Sequence, residues 1–283
     1  MEIVLIGSSG MLGTALEKVC ERKGISCVGL TQDDLEITDV DAVNGAIEKH
    51  QPNIVINMAV IQAIDPCELE PQRAFDVNAV AVSNLAKICE KNGITLVLPS
   101  THAVFDGTKD DPYTEDDLPN PTSIYGASKY VSECFARNIC TRHYVTRLPT
   151  LFGTSGYAFK GFVEKMIDKI LKGEEVRVAD DKMDSPTYSK DAAEAMISLL
   201  EEKKAFGIYH ITNSGMLSFY DFIAKVIEML GVDAKLARAK DKDFGGLGLK
   251  PLRSALKSVK LEPLRSWQEA LYEYINTEVK YLL

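Results

Sequence analysis

A tyrosine four residues ahead of a lysine, in Tyr125-Gly126-Ala127-Ser128-Lys129, has the spacing of a proton-transfer pair. On a helix the i and i+4 side chains share one face. An ammonium there lowers a phenol's pKa from about 10 toward neutrality, and such a phenol can protonate a carbonyl oxygen. A second stretch able to do chemistry is Gly7-Ser8-Ser9-Gly10-Met11-Leu12-Gly13. It follows the apolar run Ile3-Val4-Leu5-Ile6 and leads into Met11, Leu12, Ala15, Leu16 and Val19 at helical spacing. Strand, glycine turn and helix in that order are what a dinucleotide fingerprint requires. Gly7 permits the tight turn and Gly10 lets the backbone approach a pyrophosphate. Gly13 lets the helix pack against the strand, with the helix N-terminus facing negative charge.

Reduction of a ketone needs a proton donor, a hydride source and a group that polarises the carbonyl. Tyr125 is the candidate donor. Lys129 depresses the phenol's pKa and bonds the ribose of the cofactor. Thr101 supplies a second hydroxyl at the carbonyl oxygen. Its neighbour Ser100 faces the other way, since adjacent strand residues alternate. The nicotinamide carries the hydride. Asn57 and Ala59, at the end of a predicted strand, join the cofactor-binding set with Gly7, Gly10, Met11, Leu12 and Gly13. Asn78, polar between Val77 and Ala79, is expected to bond a neighbouring backbone and support the cofactor site. His102 follows Thr101, but no second His or carboxylate has a spacing that orients it, so it reads as a lone loop residue beside the substrate. His50, His143 and His210 are scattered and carry no expected role.

The elements that must position these groups alternate through the first half. Strands are predicted at 2–6, 26–30, 53–57, 94–98 and 143–147, and helices at 11–22, 40–49, 68–91 and 124–138, with Asp39 capping the second. This rhythm predicts an α/β fold, a doubly wound parallel sheet (Rossmann), with ligands at the carboxyl ends of the strands. Residues 1–150 are read as the NAD(P)-binding domain and 151–283 as mainly a smaller substrate-binding lobe, with 185–212 returning to the main sheet. In that half, helices are predicted at 159–172, 190–202, 218–230 and 266–279, and short strands at 176–178 and 207–211. Lys240–Gly248 reads as a mobile loop.

With 283 residues, 46% of them hydrophobic and 26% charged, the chain can bury a substantial core. No apolar run approaches the roughly 20 residues of a membrane span, and the N-terminus opens directly into a strand, so a cytoplasmic location is expected. The net charge of −9 argues against nonspecific nucleic-acid binding. Six cysteines without a C-x-x-C pair read as reduced thiols with no metal role.

The G-x-x-G-x-x-G spacing together with Y-x-x-x-K resembles the extended short-chain dehydrogenases/reductases. Nearly end to end, the chain is similar to one family among them, the dTDP-4-dehydrorhamnose reductases. The shared motifs include Gly10-Met11-Leu12-Gly13, Leu35-Glu36-Ile37-Thr38-Asp39, Val77-Asn78-Ala79, Val104-Phe105-Asp106-Gly107 and Tyr125 to Lys129. Ser185-Pro186-Thr187-Tyr188 and Pro251-Leu252-Arg253-Ser254-Ala255-Leu256 follow in the second half. The resemblance implies NADPH or NADH as cofactor and a nucleotide-linked 4-keto-6-deoxysugar as substrate, in a monomer or homodimer. Thr101, Tyr125 and Lys129 are then the catalytic set, and Thr101, His102, Ala103, Arg147, Thr150, Ser185 and Arg253 face the substrate.

The chain also departs from the family. Thr-Asp-Tyr is usual where Thr101-His102-Ala103 stands, a Trp where Thr150 stands, and Ala-Tyr-Thr where Val60-Ile61-Gln62 stands. These positions are expected to line the sugar pocket, so they point to a different sugar or to binding without turnover. Ala15 replaces a Glu that helps some members hold magnesium, so no metal is expected. Gln32 favours neither NAD nor NADP. Two other readings fit the same residues: a sugar-nucleotide epimerase of the same superfamily, and a noncatalytic cofactor-binding regulatory subunit.

Overall fold

Ile3, Val4, Leu5 and Ile6 are all almost closed to solvent, as a strand covered on both faces must be. The computed structural model describes residues 1–154 and 161–280. Its first half runs β1 (Glu2–Ile6), α1 (Met11–Lys23), β2 (Ser26–Leu30), α2 (Val40–His50), β3 (Ile54–Asn57), α3 (Ile64–Leu69), α4 (Pro71–Phe75), α5 (Ala81–Lys91), β4 (Thr95–Thr101), α6 (Ile124–Ile139) and β5 (His143–Leu148). The second half adds β6 (Leu151–Phe152), α7 (Phe162–Leu171), β7 (Val176–Ala179), β8 (Met183–Asp184), β9 (Thr187–Tyr188), α8 (Ser189–Glu201), β10 (Gly207–His210), β11 (Leu217–Ser218), α9 (Phe219–Leu230), β12 (Leu236–Ala239) and α10 (Trp267–Tyr274). Six strands form one parallel sheet in the order β10-β5-β4-β3-β1-β2. The strand order reverses between β1 and β3, which opens a ligand crevice at their carboxyl ends.

Alternation along β1 divides the core. Ile3 and Leu5 pack with Leu16 and Val19 of α1 and with Ala193 and Ile197 of α8. Val4 and Ile6 pack on the other face with Val55, Leu85 and Ala86. A third core holds the second half together, with Phe152 stacked on Tyr188 and packed near Phe222 and Tyr274. No helix among the described residues is long and apolar enough to cross a membrane.

Several boundaries differ from expectation. Asp39 does cap α2, accepting the Asp41 and Ala42 N–H groups at 3.0 Å each. The helix expected over 68–91 starts earlier, at Ile64, and breaks at Glu70, because the following Pro71 disfavours helical backbone at the residue before it. It resumes through a wide five-residue turn, Asp76–Val80, before α5. The strand expected at 176–178 finds its partner in β12, which sequence periodicity did not reveal. The segment read as a mobile loop contains one helical turn, Asp241–Phe244, closed by the Lys240 N–H donating to Asp243 at 2.9 Å. The helix expected over 159–172 begins at Phe162; residues 159–160 lie outside the described residues.

The glycines of the first turn are not equivalent. A Cβ on Gly13 would lie 2.2 Å from the Ser8 carbonyl oxygen, and one on Gly7, where φ is +79°, would lie 2.7 Å from the Ala59 nitrogen. One on Gly10 would meet nothing within 4 Å. Gly13→Ala is therefore expected to lower stability by about 1–3 kcal/mol through overpacking, and Gly10→Ala by less. Urea unfolding of both variants checks the order, and equal midpoints would contradict it.

Candidate active site

The glycine turn is tied to β2 by the Gly7 and Ser8 N–H groups, which both donate to the Leu30 carbonyl at 2.8 and 3.1 Å. Gly10 then occupies the N-cap of α1 with no side chain capping the helix and no acid in its first turn. The open N–H groups and the helix dipole favour an anion there. Beside it lies a cleft of ≈ 620 Å³ lined by Gly7, Gly10, Gln32, Glu36, Ala59 and Arg73, among others. Helix end, cleft and small residues fit a dinucleotide cofactor.

Asn57 is buried below this cleft, its Oδ1 accepting the Ala59 N–H at 3.1 Å. Asn78, brought inward by the wide turn, spends its amide within the protein. Oδ1 accepts the Ile61 N–H at 2.8 Å, while Nδ2 donates to the Ile61 carbonyl and to Ser128 Oγ at 3.2 and 3.0 Å. Asn78 thus bonds a neighbouring backbone, as expected, and holds the cleft wall.

Thr101 ends β4, and Tyr125 lies in the first turn of α6, whose N-terminus Ser123 caps by accepting the Gly126 N–H at 3.1 Å. Thr101 Oγ1 accepts the Ala103 N–H at 3.1 Å and bonds the Tyr125 phenol. Burial pushes that phenol up to about 12, with the Thr101 bond opposing. Lys129 Nζ donates to the Pro99 carbonyl at 2.8 Å. Burial draws Lys129 down to about 8, against the opposing charge of Glu133. The expected lowering of the phenol by the ammonium is thus absent here: the two groups are desolvated, and the amine spends its contact on Pro99.

Beneath them is a buried network that sequence reasoning missed. Glu133 accepts from Ser100 Oγ at 2.5 Å and, through both oxygens, from Arg147 Nε and Nη2 at 3.0 and 2.7 Å. The Arg147 guanidinium also lies over the Phe105 ring at 5.1 Å, with Nη1 3.5 Å from His210 Nε2. At 1% exposed, Arg147 is part of the core and does not face substrate, which corrects its expected role. Glu133 continues the four-residue series Tyr125, Lys129, Glu133, a spacing from which it could have been read.

The other expected substrate residues divide. Ser185 is wholly buried, its Oγ accepting the Leu256 N–H at 2.9 Å, and Ala103 is buried as well, so neither lines an open pocket. Arg253 is partly exposed, with Nε 3.2 Å from Asp110 Oδ1. Thr150 is half-buried and donates its N–H to Asp184 Oδ2 at 3.3 Å. His102 is not the lone residue expected: its Nδ1 lies 3.1 Å from Asp184 Oδ1, a partner 82 residues away that linear spacing could not reveal.

A parallel sheet with a glycine turn at its switch point, Thr101 at the end of β4, and Tyr125 and Lys129 on α6 defines a nucleotide-binding protein of the extended short-chain dehydrogenase/reductase type. The chain belongs to the family described as the RmlD substrate binding domain, which it matches over residues 1–280. It is 32% identical over 279 residues to the spore coat polysaccharide biosynthesis protein SpsK of Bacillus subtilis, covering 97% of each chain. To the dTDP-4-dehydrorhamnose reductase of Streptomyces griseus it is 33% identical, over 95% of this chain and 91% of that one. Among solved structures, a dTDP-4-dehydrorhamnose reductase from Clostridium acetobutylicum superposes with a TM-score of 0.92 at 33% identity, covering 98% and 99% of the two chains. One from Bacillus anthracis in complex with NADP gives 0.91 at 28% identity, with the same coverage.

Two stability predictions follow from the buried network. Glu133→Ala strands the Arg147 charge in the core and is expected to cost about 3–5 kcal/mol; a loss below 1 kcal/mol by denaturant unfolding would refute the buried-pair account. His210 is held down to about 4 by burial, with Glu115 opposing and Arg147 assisting. Between pH 6.5 and 4 the unfolded chain binds more protons at this residue, so its contribution to stability is present above pH 6.5 and is lost as pH falls toward 4. His210→Asn should flatten the acid limb of a stability-versus-pH curve by about 2–3 kcal/mol, and an unchanged slope would contradict this.

Proposed function

We propose that this chain is an NAD(P)H-dependent reductase of a nucleotide-linked 4-keto-6-deoxysugar, acting in deoxysugar or polysaccharide biosynthesis in the cytoplasm as a monomer or homodimer. The observation that carries the reading is the Thr101–Tyr125 hydroxyl pair at the carboxyl end of β4, the same end of the parallel sheet at which the glycine turn follows β1. Membership of a family whose relatives are named as reductases of dTDP-linked keto sugars supports it.

When bound, the nicotinamide supplies the hydride. Tyr125 delivers the proton to the ketone oxygen, and the raised phenol is fully protonated before the reaction. With substrate bound, Thr101 turns its hydroxyl from Tyr125 to the same ketone oxygen, placing two donors where negative charge develops. Lys129, with an amine near neutral affinity for its proton, can recharge the phenolate once its bond to Pro99 is shared with the cofactor's ribose. The open N-terminus of α1 would hold the pyrophosphate. Arg73 and Gln32 lie in the same cleft as Glu36, a mixture that accepts NADPH or NADH.

Tyr125→Phe is expected to lower turnover of a dTDP-linked 4-keto-6-deoxysugar roughly 10²–10⁴-fold while leaving NADPH affinity nearly unchanged. Lys129→Ala should weaken both. NADPH oxidation followed at 340 nm, with cofactor binding by nicotinamide fluorescence, decides it. Tyr125→Phe activity within threefold of wild type removes Tyr125 from the mechanism.

A further inference from the structure

The first turn of α6, which carries Tyr125, is held from two sides. On one side a Cβ on Gly126 would lie 2.3 Å from the Ala103 carbonyl oxygen, so the helix backbone rests directly on the short turn that follows Thr101. On the other side the Ile124 N–H donates to Glu68 Oε1 of α3 at 2.8 Å. Ile124 opens α6, so its N–H is one of the four that a helix leaves without an internal partner. Ser123 takes the Gly126 N–H two residues further on, which leaves the Ile124 N–H to a residue from outside the helix. A carboxylate in that place also complements the helix dipole. Tyr125 therefore sits between a residue fixed by Glu68 and a residue pressed against Ala103.

A strap from the second half of the chain, residues 247–249, covers this carboxylate. The Leu247 N–H donates to Asp65 Oδ1 at 2.9 Å, one turn before Glu68 on α3. Thr122 Oγ1, just ahead of the Ser123 cap, donates to the Leu249 carbonyl at 3.4 Å. Between these two bonds a Cβ on Gly248 would lie 2.5 Å from Ile64 Cγ2 and 2.6 Å from Glu68 Oε1. Leu247 and Leu249 are themselves 60% and 71% exposed. The strap thus adds little to the apolar core; its backbone is what meets α3 and the start of α6.

We infer that Glu68 is a positioning residue for Tyr125: its carboxylate fixes the first turn of α6, and the strap at 247–249 keeps that carboxylate in place. This rests on the reading that Tyr125 is the proton donor. The Glu133–Arg147 pair clamps α6 about two turns further along, beyond the turn that carries the phenol. Proton transfer requires the phenol within hydrogen-bond reach of the ketone oxygen. A misplacement of about 1 Å can lower the rate on the order of 10²-fold without any loss of substrate binding. Glu68 touches neither reacting group and acts only through the helix.

The test follows NADPH oxidation with a dTDP-linked 4-keto-6-deoxysugar. Glu68→Ala is expected to lower kcat about 10–100-fold, with KM and NADPH affinity within about threefold of wild type. Glu68→Gln, whose amide oxygen accepts the same N–H, should recover most of that loss. Placed in a Tyr125→Phe background, Glu68→Ala should cost less than about threefold more, because residues that act as a unit are not additive. Gly248→Ala, which drives a methyl against the carboxylate, should lower kcat about 3–10-fold and likewise add little to Tyr125→Phe. Should Glu68→Ala not fold, the Gly248→Ala pair of measurements still decides. Wild-type kcat in Glu68→Ala or in Gly248→Ala overturns the inference. So does a loss that persists in full in the Tyr125→Phe background, since the residue would then act independently of the phenol. Tyr125→Phe with wild-type activity overturns the proton-donor reading beneath it, a separate result.

Discussion

The Glu133–Arg147 pair is the constraint on which the site depends. It joins three elements at once: Glu133 on α6, Arg147 on β5 and Ser100 on β4. Removing two charges from water costs several kcal/mol each, and only close geometry with every polar atom used offsets that. The fork of Arg147 on both carboxylate oxygens, the Ser100 hydroxyl and the Phe105 ring meet that demand. Such a pair tolerates little displacement. Since Tyr125, Lys129 and Glu133 recur every four residues on α6, clamping Glu133 to the sheet also fixes the height of Tyr125 against Thr101.

The same clamp explains why Tyr125 and Lys129 are so strongly desolvated. Lys129 stands between Glu133 and the Pro99 carbonyl, within the protein. An amine in that position is drawn toward neutrality by burial and kept from going further by the carboxylate beneath it. The phenol next to it is pushed the opposite way by the same loss of water. Burial thus governs both groups, without the ammonium–phenol contact that the Tyr-x-x-x-Lys spacing alone suggests.

The second half of the chain supplies what the sheet lacks. β10 extends the sheet, and His210 at its end sits under Arg147. Glu115, from the loop after β4, accepts the His210 N–H at 2.8 Å and the Ser258 hydroxyl at 2.5 Å, tying that loop to two distant segments. Asp184 reaches back to His102 in the same way. Buried polar contacts between segments far apart in sequence therefore fix the surroundings of His102 and Arg147, whereas apolar packing and the glycine turn shape the cleft beside α1.

That division matches what could be read without coordinates. The strand–glycine turn–helix, the alternation of strands and helices, the Asp39 cap and the i, i+4 pair on α6 are local. Each follows from steric freedom, periodicity or spacing within a dozen residues, so the amino-acid order alone determined them and, with them, the family resemblance. Tertiary structure decided the rest. Arg147 and Ser185 stand where substrate residues were expected, yet they are buried, because their partners Glu133 and Leu256 approach only once the sheet and lobe have closed. His102 gained an orienting carboxylate from 82 residues away. Burial and long-range pairing depend on which distant segments meet, and a linear chain holds no record of that distance until it folds.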